Sequence, residues 1–207
     1  MPYDLTPHLD PERTAVLVFE CQEGVIGETS HLTGLVAAAR DGQLVDHIAA
    51  LLDAARAAAA GIFYCKVAKR ADGRGNPFNT PIEMRLREKS GSGTGAADVG
   101  DIVEALAPQP SDIVVTREHG MTAFYESGLD SYLRNTGTRT VVLTGVSVNI
   151  GILGTAIEAV NRGYTVVVPT DCVAGDPPDY AEVALRYAVR NIAFLSTREE
   201  IEAIWKV

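Results

Sequence analysis

The stretch Thr140–Gly175, TVVLTGVSVNIGILGTAIEAVNRGYTVVVPTDCVAG, reads as strand, tight turn, helix and strand. Thr140–Leu143 is a short apolar run rich in β-branched residues, and Gly145 breaks it. Asn149–Arg162 then places Ile150, Leu153, Ile157 and Val160 at helical spacing. Gly163 ends that helix, and Tyr164–Val168 is a second buried strand. In a unit of this kind the turn between strand and helix is where an α/β enzyme presents its reactive groups. At the first turn of this helix, where a nucleophile would stand, the chain has Gly151.

Working outward, the same alternation covers the chain. Strands are expected at Val16–Glu20, Ile62–Val67, Ile113–Thr116 and Ile192–Leu195, and helices at Leu44–Ala60, Asp98–Leu106, Gly128–Asn135, Tyr180–Val189 and Arg198–Lys206. Lys69–Gly95, rich in Gly, Pro, Asn and Arg, reads as a long loop over the site, with Arg70, Arg74 or Arg85 placed to meet an anionic ligand. Strands alternating with helices predict an α/β protein of three layers, α/β/α, around a central, mostly parallel sheet. A length of 207 residues without a low-complexity linker fits one domain over residues 1–207.

Composition narrows the function classes. A net charge of −9 disfavours nucleic acid and anionic membranes as partners, because both require a basic surface. No run approaches the about 20 apolar residues of a spanning helix, and the polar, Pro-rich MPYDLTPHLDPERT does not read as a signal peptide. The three cysteines, Cys21, Cys65 and Cys172, are too few for a disulfide framework, and the expected location is the cytoplasm. The four histidines, His8, His31, His47 and His119, show no ligand spacing, so neither a metal nor a cofactor is expected.

Three segments carry a family resemblance. Thr144-Gly145-Val146, with Ser147 after it, resembles the TGV-x-T-x-x-C turn of the isochorismatase-like (cysteine hydrolase) superfamily, with Val148 for the usual threonine and Gly151 at the cysteine nucleophile. TAVLVFECQ, Thr14–Gln22, resembles the first strand that ends in the family's aspartate and x-Q, and Glu20 stands at the aspartate. DIVVTREHGMTAF, Asp112–Phe124, resembles the segment bearing the family's lysine, and Arg117 stands there. The expected Asp–Lys–Cys set is thus Glu20–Arg117–Gly151. The resemblance implies the family's hydrolase fold, a small-molecule substrate, a homodimer or larger assembly, and a cis peptide at Val146–Ser147. The apolar C-terminal helix with Ile204 and Trp205 is one candidate surface for self-association, and burial in the chain's own core is the other reading.

The residue changes reshape the implied chemistry. Without a side chain at 151 there is no thiol for an acyl-enzyme route. Isochorismatases proper resemble this chain in having glycine at that position, and their strand-end acid protonates a vinyl ether. Glu20 would then be a general acid. Arg117, unlike lysine, stays charged and suits an ionised Glu20 acting as a general base on water. Gln22, His119, Phe124, Val146, Ser147, Asn149 and Ile150 are the expected substrate-binding residues. Three readings stand at this level: a hydrolase without covalent catalysis on a small anionic molecule, a non-catalytic binder in which Glu20–Arg117 is a structural ion pair, and a thiol hydrolase using Cys21 or Cys65. Bland readings stand beside them, in which Glu20 begins a solvated loop, Arg117 pairs with Glu118 on the surface, and the cysteines pack the core.

Overall fold

The computed structural model describes residues 3–90 and 99–206. In chain order the elements are β1 (Thr14–Phe19), α1 (Glu23–Ile26), α2 (Thr33–Asp41), α3 (Leu44–Ala57), β2 (Gly61–Val67), α4 (Pro81–Ser90), β3 (Ile113–Arg117), α5 (Leu129–Asn135), β4 (Thr140–Val146), α6 (Leu153–Asn161), β5 (Thr165–Pro169), β6 (Val173–Ala174), α7 (Pro178–Tyr187), β7 (Phe194–Ser196) and α8 (Arg198–Trp205). The strands form one sheet in the order β3-β2-β1-β4-β5-β7, with β6 added beside β4, and every pair is parallel. This is the expected three-layer α/β/α architecture.

β1 lies at the centre and is fully buried. Its side chains alternate between the two faces, as the two-residue period of a strand requires. Val16 and Val18 pack in one core with α3 and α8 through Ile48, Leu52 and Ile201. Leu17 and Phe19 pack in the other with α5 and α6 through Leu129, Leu133, Ala156 and Ala159. The chain leaves β1 toward β2 on one side and returns to β4 on the other, so β1 and β4 flank the topological switch point. Their carboxyl ends open the crevice in which such sheets hold ligands.

Several expectations need correction. Gly145 does not break β4: it stays in register with Phe19 and Val173, at φ 101°. A Cβ there would overlap the Phe19 carbonyl, so glycine is what lets β4 approach β1 this closely. The helix expected from Asn149 begins as a wide π-type turn over Val148–Ile152 before α6. Its inward face is also different. Ile150, Ile157 and Val160 are exposed, and Ile152, Thr155, Ala156 and Ala159 are buried. Small side chains let this helix lie close to the sheet, and apolar residues all round it hid which stripe faced in. Lys69–Gly95 is not one loop, because α4 forms within it, while the stretch 91–98 lies outside the described residues. The helix expected over Asp98–Leu106 is absent from its described part: Ile102 bridges to Gln22, Val103 N–H donates to the Cys21 carbonyl at 3.0 Å, and only a single turn at Glu104–Leu106 coils. Trp205 and Ile204 pack on the chain's own core, with Trp205 Nε1 donating to the Leu9 carbonyl at 2.9 Å.

Candidate active site

Glu20 is the first residue past β1. Its backbone N–H still donates to the Cys65 carbonyl at 3.1 Å, but its φ is 52°, in the left-handed region that a non-glycine residue seldom adopts. Such strain costs about 1–3 kcal/mol and collects at functional positions. Arg117 is the last residue of β3, in register with Val67 of β2. Although β2 separates their strands, the Arg117 Nη2 and Glu20 Oε1 atoms are bonded directly. Arg117 is only 4% exposed, so a guanidinium ion is held almost out of water, partnered by a carboxylate that keeps 20% of its side chain accessible. The bland readings of both residues therefore fall.

Phe19 organises this pair. Its ring is fully buried, with the Arg117 guanidinium 5.0 Å from its centroid. The ring edge lies where a Cβ on residue 151 would have to go. Gly151 is thus glycine for a packing reason: Phe19 has taken the space that a side chain at that position would need. The Val146–Ser147 peptide is cis. Ile150 and Ile152 N–H groups both donate to the Ser147 carbonyl, at 3.3 and 3.0 Å.

A cavity of about 420 Å³ opens above these groups. Six of the expected site residues line it: Glu20, Arg117, Ser147, Asn149, Ile150 and Gly151. Four do not. Gln22 is buried beneath the floor, where its amide donates to the Val67 and Gly100 carbonyls at 3.0 and 2.8 Å and accepts from Val67 N–H at 2.8 Å, tying the ends of β1 and β2 together. Val146 is core. Phe124 is stacked on Tyr164 in the α5–α6 core, their centroids 6.1 Å apart. His119 is exposed and bonds the Gly75 carbonyl at 3.0 Å. Of the three arginines expected to meet an anion, Arg70 is engaged with Asp72 at 2.7 Å and does not line the cavity; neither do Arg74 and Arg85.

Sequence reasoning missed the opposite wall. Lys69 Nζ pairs with Glu83 at 3.3 Å, and Phe78, Ile82 and Leu86 add an apolar surface. Thr80 and Glu83, bonded through Thr80 Oγ1 and the Glu83 N–H and carboxylate, start α4 over the opening. The available signal was positional: Lys69 stands two residues beyond β2, whose end is in register with Arg117. Two buried polar atoms on the cavity lining have no hydrogen-bond partner among the described residues, Arg117 Nη1 and Asn149 Oδ1. Native proteins seldom strand such atoms, and at a cavity wall they are the groups a ligand satisfies.

The cysteines do not serve this cavity. Burial pushes the Cys21 and Cys65 thiols up to about 12, the Arg117 cation opposing this at Cys65 and the Glu20 charge adding to it at both, and burial raises Cys172 as well. Among the described residues no three His, Cys, Asp or Glu side chains gather as a metal site would require. No helix among the described residues is long and apolar enough to cross a membrane.

The isochorismatase domain profile matches residues 14–200. The chain belongs to the isochorismatase family of hydrolases. Ureidoacrylate amidohydrolase RutB of Methylorubrum extorquens AM1 is 31% identical over 94% of this chain and 83% of its own length. Phenazine biosynthesis protein PhzD of Pseudomonas fluorescens is 27% identical over 94% of this chain and 87% of its own. Among solved structures, a cysteine hydrolase from Pseudomonas syringae pv. phaseolicola 1448A superposes with a TM-score of 0.76 at 25% identity, covering 96% of this chain and 95% of that one.

Proposed function

We propose that this family member hydrolyses a small anionic molecule with water as the nucleophile and without a covalent enzyme intermediate. The observation that carries this reading is the direct Glu20–Arg117 pair at the floor of the cavity, beside a residue 151 that has no side chain and no room for one. With the thiols buried and protonated at neutral pH, the attacking oxygen comes from solvent. Glu20 is the group that moves the proton. It takes a proton from water as the water adds to the substrate, and returns it to the leaving group. Arg117 turns its unpaired Nη1 to a substrate oxygen and offsets the charge that develops there. Lys69 supplies a second cation, and the apolar wall of Phe78, Ile82 and Leu86 takes the substrate body.

The substrate chemistry follows the relatives in two directions. Vinyl ethers such as isochorismate would take a proton on carbon from Glu20, and water would add to the resulting cation before the alcohol leaves. Ureido and amide substrates, as named for RutB, would be attacked by water with Glu20 as base. A screen of vinyl-ether carboxylates, ureidoacrylate and short anionic amides, read for turnover and for binding in parallel, tests the proposal. Turnover of any of them supports hydrolysis.

One observation favours a second reading. Glu20 and Arg117 are already bonded to each other, as a structural ion pair would be. On that reading the chain binds a metabolite or protein partner and turns nothing over. Tight binding with no turnover across the whole panel would decide for it.

A further inference from the structure

A second cavity of about 580 Å³ joins the first along a shared wall that includes Leu32, Ile82, Leu86, Met121, Ile150 and Asp176. Its charge sets it apart. Arg85 and Lys89 stand one turn apart on α4 and both line it. Like charges at this spacing repel along a helix face. The chain carries 27 acidic residues against 18 basic ones, yet neither Arg85 nor Lys89 forms an ion pair among the described residues. Lys89 Nζ makes one long contact, 3.5 Å, to the His31 carbonyl. The lone carboxylate among the described lining residues, Asp176, rests against Gly34 in the first turn of α2, where a Cβ would overlap it. It forms no ion pair with either cation among the described residues. Both cationic side chains are exposed, and an unpaired cation pair on an acidic chain, at the open side of a space continuous with the main cavity, is a place for a negative group.

We propose that the ligand carries two anionic oxygen groups separated by an apolar body. One group meets Arg117 in the main cavity, the body lies along Ile82, Leu86 and Met121, and the second group, a carboxylate or a phosphate, sits between Arg85 and Lys89. This rests on reading the main cavity as a ligand site, but not on its catalysing hydrolysis.

The test uses calorimetric titration of the full chain with three probe series of matched length: linear monocarboxylates, α,ω-dicarboxylates of four to nine carbons, and ω-phosphonocarboxylates. At least one two-headed probe is expected to bind about fivefold tighter than its monocarboxylate, the gain of two exposed charge contacts. Raising the salt concentration should shrink that preference. Arg85→Gln/Lys89→Gln, which keeps good helix formers on α4, should erase the preference and leave monocarboxylate binding unchanged. Arg85→Glu/Lys89→Glu should invert it. Whichever two-headed series wins identifies the second group. Equal binding of one- and two-headed probes, a preference that survives both double variants, or no binding of any series would overturn the proposal. A protein that shows the preference yet hydrolyses nothing would uphold this inference and sink the hydrolase reading; turnover of monoacids without the preference would do the reverse.

Discussion

Adding one methyl group at position 151 tests the packing of the Phe19 ring against Gly151. Residue 151 has no positive φ, so an L-residue could adopt its backbone conformation. In an unobstructed helical turn Gly151→Ala would gain up to about 1 kcal/mol, by removing glycine's backbone freedom from the unfolded chain. Here the new Cβ meets the edge of the Phe19 ring, which is fully buried between the sheet and α6 and carries Arg117 over its face. Overpacking of this kind costs about 1–3 kcal/mol. The balance is a net loss of about 1–2 kcal/mol, or a fall in Tm of about 3–6 °C for a domain of this size. Phe19→Leu removes the obstructing edge. In a double-mutant cycle followed by urea unfolding, Gly151→Ala should become neutral or stabilising in the Phe19→Leu background, with a coupling of at least about 1 kcal/mol. A stabilising Gly151→Ala in the wild-type chain, or a penalty unchanged by Phe19→Leu, would refute the reasoning. By the same argument, Gly151→Cys alone restores no thiol hydrolase.

Further outcomes follow from the same geometry. Gln22→Leu removes three part-buried hydrogen bonds and strands the Val67 N–H, so it should cost about 2–4 kcal/mol in urea unfolding. Arg117→Met should destabilise by leaving Glu20 without its cation, and the Glu20→Gln/Arg117→Met double variant should recover part of the loss. Because Cys21 and Cys65 are raised from an ordinary value of 9.0 to about 12 in the folded state, the unfolded chain releases their protons first as pH rises. Their contribution is complete below pH 9, and the urea midpoint should fall progressively above it, less steeply in Cys21→Ala. For the same reason iodoacetamide at pH 7.5 should label no thiol in the native protein and all three after unfolding, as read by intact mass; rapid native labelling of Cys21 with loss of turnover would revive a thiol route.

What the sequence disclosed, and what it concealed, divides along local and long-range lines. The strand and helix order followed from periodicity and glycine punctuation, whereas Glu20, Arg117 and Gly151 were reachable only through the family resemblance of the segments that carry them, since pattern alone reads Glu20 as the start of a solvated loop and Arg117 as a surface residue. The side of α6 that faces the sheet was not legible, since Ile150, Ile157 and Val160 look like a core stripe while the close packing is done by Ala156 and Ala159. The pairing of Glu20 with Arg117 across an intervening strand depends on the sheet order, as does the contact between Phe19 and Gly151. Phe124 stood in the right segment but turned into the core behind the site. α4 escaped notice because the Gly- and Pro-rich residues around it outweighed its own short pattern. With it went Glu83 and the outer wall that places Arg85 and Lys89 together.

The most direct test of the central claim is the turnover of Glu20→Gln on whichever panel substrate the wild-type protein hydrolyses, with ligand affinity measured on the same preparation. Loss of a general acid–base group predicts a fall in kcat of about 10²–10⁴-fold while Kd stays within about threefold. A Glu20→Gln protein that retains turnover within tenfold of wild type, or a wild-type protein that binds the panel and hydrolyses none of it, would contradict the account.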